Sequence, residues 1–131
     1  MLVELSILPL VGSGHLSDEL AEVLKLIDSY GLPYQLTPSA TCIEGEWNEV
    51  MELVRQCHER VRSRSSHIVT FIKIEDEEGV SDKLSRNISS VEQKVGRQLS
   101  SSVNTREGEL ENRPVSQSAR QEARVHTGKP L

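Results

Sequence analysis

Two segments of this 131-residue chain carry side chains that suit ligand chemistry. The first is Thr41-Cys42-Ile43-Glu44-Gly45-Glu46-Trp47, which sets a hydroxyl, two carboxylates and an indole at the junction of a strand pattern and a helix pattern. With Thr41, Glu44 and Trp47 near one sheet end, a carboxylate can accept hydrogen bonds from an amino-heterocycle or pair with a cation, while the indole supplies a flat apolar wall. A structural reading stands beside it: Glu44 and Glu46 cap the helix and Trp47 packs in the core. Residue types alone leave both open. The second segment is Gly12-Ser13-Gly14 ahead of a helix pattern, a placement shared with phosphate-cradling loops. No Gly-Lys-Ser/Thr follows, and the third glycine of the dinucleotide fingerprint is missing. The segment therefore reads as a tight turn whose N–H groups and Ser13 can line a small-molecule site.

Other combinations fail on spacing. His15, Cys42, Cys57 and His58 match no closed zinc pattern, and adjacent helical residues such as Cys57 and His58 point about 100° apart. Cys57 continues an apolar stripe and reads as a small core residue. Glu75-Asp76-Glu77-Glu78 lacks the ligand spacing of a calcium loop. The four histidines sit in a turn, a helix, a strand start and the tail, with no elbow motif to raise a nucleophile. No metal, cofactor or catalytic residue is expected.

The elements that position these residues follow from hydrophobic period. Val3, Leu5 and Ile7 alternate with Glu4 and Ser6, as in a half-buried strand. Leu20, Val23, Leu24 and Ile27 form a helical stripe, with Ser17 as the expected N-cap and Gly31-Leu32-Pro33 as the stop. Tyr34–Thr37 and Ala40–Glu44 read as short strands joined at Pro38-Ser39. Trp47, Val50, Met51, Val54, Cys57 and Val61 trace a second helix, and His67–Glu75 a long strand. A third helix, capped by Ser81, carries Leu84, Ile88, Val91 and Val95. The order β-α-β-β-α-β, then α, predicts an α+β fold: a ferredoxin-like four-stranded antiparallel sheet with two helices on one face. Apolar residues on both sides of the first and last strands predict that the other face is also covered, by a second copy of the chain.

All four aromatic residues precede Gly96, and residues 1–95 hold 9 basic and 16 acidic side chains, near −7, against 6 and 4 afterwards. A domain over residues 1–96 with a disordered low-complexity tail over 97–131 is expected. An acidic domain repels a phosphate backbone, so nucleic acid is not an expected partner. No apolar run approaches a membrane span, no export signal is recognised, and two cysteines form no disulfide framework, so a cytoplasmic setting is expected.

At these residues the chain resembles the small thiamine-binding, YkoF-like family. The resemblance covers residues 1 to about 97. It rests on Ile7-Leu8-Pro9-Leu10 before the glycine turn, Gly31-Leu32-Pro33-Tyr34-Gln35-Leu36-Thr37-Pro38, the run from Thr41 through Met51, Cys57-His58-Glu59 and Ile72-Lys73-Ile74. It implies a ferredoxin-like fold, homo-oligomers (dimers or tetramers), and non-catalytic binding of thiamine or its hydroxymethylpyrimidine portion. The implied pocket draws on Gly12, Ser13, Gly14, Thr41, Glu44 and Trp47. Two departures stand out: Ala40 occupies a position that is often Gly, and Glu75-Asp76-Glu77 replaces an Asp-Asp-Arg run. With an acid in place of that Arg, thiamine is expected to bind better than its phosphorylated forms. The alternative is an oligomeric interaction or regulatory module with a vestigial pocket.

Overall fold

The computed structural model describes residues 1–12 and 14–99. Its elements are β1 (Leu2–Pro9), α1 (Leu16–Tyr30), β2 (Tyr34–Leu36), β3 (Thr41–Glu44), α2 (Trp47–Arg62), β4 (Ile68–Glu75) and α3 (Lys83–Val95). The strands form one antiparallel sheet in the order β2-β3-β1-β4. This is the α+β, ferredoxin-like arrangement expected from the periodicity. Ser13 lies outside the described residues, as does the expected tail from residue 100 onward. The chain divides after Gln98, and Met1–Gln98 form one unit.

The core forms where two periodicities meet. Val3 and Leu5 of β1 and Ile43 of β3 point to the same side by strand alternation. There they meet Val23 and Ile27 of α1 and Val50, Leu53, Val54, Cys57 and Val61 of α2, all buried. α1 ends where Gly31 takes a left-handed conformation, φ 87°, a backbone state that costs a residue with a Cβ about 1 kcal/mol. Among the described residues no helix is long and apolar enough to cross a membrane.

Two helix starts differ from expectation. α1 begins at Leu16 with His15 as N-cap, so Ser17 falls inside the first turn; the His15 carbonyl accepts from the Asp18 N–H at 3.0 Å. Leu16 itself stays 54% exposed; the helix starts there because the His15 carbonyl already accepts from the Asp18 and Glu19 N–H groups. α3 is preceded by Asp82 in a left-handed conformation, φ 61°, and neither Ser81 nor Asp82 supplies a side-chain cap. The cap comes from the sheet instead, where Glu44 Oε2 accepts from the Leu84 N–H at 3.1 Å. Lys83 beside it is only 4% exposed and donates to Glu75 at 2.9 Å and Glu77 at 2.5 Å.

The sheet face away from α1 and α2 is only partly covered within one chain. Phe71 there is 58% exposed, and Ile88, Val91 and Val95 leave an apolar stripe of α3 open to solvent.

Candidate functional site

β1 is longer than the strand beside it. Its pairing with β4 runs from Leu2 to Pro9, whereas its pairing with β3 stops at Leu5↔Thr41. Beyond that point the chain turns: the Thr37 hydroxyl donates to the Ala40 carbonyl (2.9 Å) and accepts from the Ala40 N–H (3.2 Å). The early turn leaves a gap beside Ile7, roofed by the first two turns of α1. A cavity of about 210 Å³ occupies it, lined by Leu5, Ile7, Leu16, Leu20, Val23, Leu36, Thr37, Ala40, Thr41 and Glu19, among others. Its walls are aliphatic apart from hydroxyls and one carboxylate. A groove of about 450 Å³ shares Leu8, Leu16 and Glu19 with it and adds Gly12, Gly14, Arg64 and Ser65.

Glu19 is the group in this region that the rest of the fold leaves incomplete. Its side chain is 13% exposed; Oε1 lies 3.3 Å from Arg64 Nε, while Oε2 is buried with no hydrogen-bond partner among the described residues. A buried acceptor left unmade costs about 1–3 kcal/mol, more when it is charged. Positions where such a cost persists are places to look for a ligand. Gly14 presses close: a Cβ built there would stand 3.4 Å from Glu19 Oε1. The loop behind is stitched by Ser65, whose hydroxyl reaches the carbonyls of Val11 and His67, and by the Leu10 N–H, which donates to the His67 carbonyl at 2.8 Å.

The expected site residues therefore separate. Gly12, Gly14 and Thr41 border the cavity and groove. Glu44 pairs with Leu2, at the other end of β1, seven residues or about 24 Å of strand from Pro9. Trp47 follows at that far end, 53% exposed, and Glu44 is engaged by α3. Gly45 between them serves packing, since a Cβ there would meet Val50 at 3.1 Å and Leu32 at 3.2 Å. Glu19 and Arg64 were not singled out from the sequence. The available signal was a carboxylate three residues after Leu16 and four before Val23, on the flank of an otherwise apolar stripe.

Among the described residues no group of three His, Cys, Asp or Glu side chains is gathered to hold a metal ion. His58 Nδ1 lies 2.8 Å from Thr70 Oγ1, but that pair links α2 to β4 and borders neither cavity. Burial pushes the Cys57 thiol up to about 11, which suits a core residue rather than a nucleophile.

Comparison with known proteins agrees with this architecture. A UPF0045 protein of Mycobacterium bovis is 34% identical over 94 residues, spanning 70% of this chain and 91% of the relative. A UPF0045 protein of Bacillus subtilis is 33% identical over 76 residues, 54% of this chain and 73% of that one. Two solved structures share the fold. A Methanocaldococcus jannaschii protein superposes with a TM-score of 0.63 at 20% identity, covering 69% of this chain and 93% of its own. A Thermotoga maritima protein proposed for thiamine biosynthesis or salvage gives 0.60 at 24% identity, covering 69% and 96%. The family model described as thiamine-binding protein matches residues 3–92, and with that match over the folded region the chain belongs to the thiamine-binding protein family.

Proposed function

We propose that this chain binds thiamine or its hydroxymethylpyrimidine portion without altering it, in the cavity beside Glu19, and that it does so as a homo-oligomer in the cytoplasm. The observation that carries the reading is the aliphatic cavity with the Glu19 carboxylate on its wall, whose buried Oε2 has no hydrogen-bond partner among the described residues. An aminopyrimidine brings N–H donors on a flat apolar ring, which suits a carboxylate set in an aliphatic wall. At about 210 Å³ the cavity falls below the roughly 300 Å³ of drug-sized pockets, so it suits one ring. In thiamine the thiazolium would then occupy the adjoining groove, which Glu19 and Arg64 line as an ion pair. Gly12, Gly14 and Thr41 border the ligand in this proposal, and the expected Ser13 lies outside the described residues. Glu44 is assigned to capping α3, and Trp47 to the far sheet end.

Among the described residues no hydrogen bond joins a cavity hydroxyl to a side-chain base, which favours binding without catalysis. Self-association, as a dimer or tetramer, is favoured by the exposed apolar stripe of α3, by Phe71, and by the long open edge of β4. The free thiols Cys42 and Cys57 suit a reducing compartment. The same exposed apolar residues favour the second reading, an interaction module whose pocket is vestigial.

Thermal melting with thiamine, hydroxymethylpyrimidine and thiamine diphosphate separates the two. A ligand at 100 times its Kd stabilises the folded state by about 2.7 kcal/mol, and thiamine should raise Tm more than its diphosphate. Unchanged melting with all three, alongside a multimeric mass by light scattering, would move the assignment to the interaction module. Greater stabilisation by the diphosphate would overturn the preference for the unphosphorylated ligand.

A further inference from the structure

α3 is a helix that its own domain hardly covers. The one residue it buries is Lys83, which donates to Glu75 and Glu77, and the Leu84 N–H is capped by Glu44. Asn87 adds a hydrogen bond to Glu75 at 3.1 Å. These contacts fasten the start of the helix; beyond them Ile88, Val91 and Val95 are exposed. A helix of 13 residues is marginal in water unless its apolar side is buried. α3 therefore needs a cover that one chain does not provide among the described residues.

The apolar pattern suits a helix as that cover. Leu84, Ile88, Val91 and Val95 are spaced four, three and four, and every other residue from Ser85 to Lys94 is polar. Two apolar positions in seven make the narrow seam of a helix pair. α2, which packs on the sheet, shows the wider stripe instead, with Val50, Leu53, Val54, Cys57 and Val61 buried. α3 also carries opposite charge at its two ends. Asp76, Glu77, Glu78 and Asp82 lead into it, whereas Lys94 and Arg97 stand where it stops, with Glu92 the nearest acid.

We propose that α3 is a docking helix for the α3 of a second copy of this chain, the two running antiparallel about a two-fold axis. The inference rests on the self-association proposed above and names a surface that carries it. With the axis between Ile88 and Val91, Leu84 of each helix meets Val95 of the other and Ile88 meets Val91, so both seams close at once. The same register sets the Lys94 and Arg97 end of one helix beside Asp82 and the preceding acids of the other. A parallel pair would bring acids against acids, which costs affinity. Glu44, Glu75 and Lys83 keep their roles, because they hold the start of α3 to its own sheet.

The test is mass by light scattering over a concentration series of the full chain, with Val91→Lys, Ser90→Lys and Arg97→Glu beside the wild type. Val91→Lys should raise the dissociation constant of one association step by at least about 100-fold, because both copies lose a buried valine. Ser90→Lys, on the polar side of α3, should leave the masses unchanged; an equal loss there would overturn the seam. Arg97→Glu should weaken the same step by about tenfold, since two surface pairs turn repulsive. An unchanged or tighter step in Arg97→Glu would overturn the antiparallel orientation. Wild-type masses in Val91→Lys would overturn the α3 pairing and leave self-association to another surface. Melts by circular dichroism below the association range give a second reading. Val91→Lys should melt with the wild type there, and a lower Tm would place the stripe on its own sheet and overturn the docking role. A wild type that is monomeric at every concentration removes self-association, and this inference with it.

Discussion

Replacing Glu19 by leucine should make the ligand-free protein more stable and remove its ligand binding. Two contributions set the magnitude. The uncompensated burial of Oε2 costs about 1–3 kcal/mol, and an apolar side chain of similar length removes that cost. The ion pair with Arg64 is forfeited, but Arg64 is 47% exposed and such pairs are worth about 0–1 kcal/mol. Leucine would also sit among Leu16, Leu20 and Val23, side chains that already line the cavity. The net gain is roughly 1–2 kcal/mol, or a Tm rise of roughly 5–15 °C for a domain near 100 residues. Melting followed by circular dichroism without ligand, then titration with hydroxymethylpyrimidine, reads both halves. Gained stability with lost binding is the signature of a site that holds an unfavourable group for function. A lower Tm would refute the reasoning, because Glu19 would then be a structural carboxylate.

Three further outcomes follow from other parts of the fold. Gly45→Ala should destabilise by about 1–3 kcal/mol in urea melts, because its methyl would press on Val50 and Leu32 at 3.1 and 3.2 Å; an unchanged midpoint would contradict that packing. A thiol reagent at pH 8 should label half-buried Cys42 while Cys57, buried and held up at about 11, reacts only on unfolding; equal rates in native protein would contradict the assignment. The third concerns α3. The hydrogen bond from Lys83 holds the Glu75 carboxyl below the usual carboxylate range, helped by Asn87. A depressed folded-state value stabilises above the unfolded value and is lost as pH falls through the folded one. Amide exchange at the start of α3 should therefore accelerate, relative to α2, as pH drops below about 4.5, and Lys83→Gln should abolish the acid dependence; a flat profile in the unmodified protein would contradict the clasp.

The elements were legible because each is driven by its own period. Val3, Leu5 and Ile7 specify a face of β1 without reference to anything distant, and Gly31-Leu32-Pro33 ends α1 by local stereochemistry. The caps were not legible, since the group that satisfies the Leu84 N–H lies 40 residues away on β3. The site divides the same way. Thr41 and Glu44 are three residues apart in sequence, but along a strand three residues span about 10 Å, and only the Thr41 end approaches the glycine turn. Which end faces Gly12 depends on the antiparallel register of β1 with β3, a non-local pairing. The difference in strand length that opens the cavity depends on the same register. Asp18 and Glu19 are adjacent acids in the first turn of α1, where the positive helix end favours both alike. Only the packing of α1 over the gap beside Ile7 buries one oxygen of Glu19 among aliphatic side chains.

The central claim is that the cavity beside Glu19 takes the pyrimidine of thiamine. Chemical-shift mapping of the labelled full chain during titration with thiamine tests it most directly. Saturable shifts are expected to centre on Ile7, Gly14, Glu19 and Thr41, with the amides around Glu44 and Trp47 unmoved. Saturable shifts confined to the Glu44–Trp47 end, or none at any accessible concentration, would contradict it.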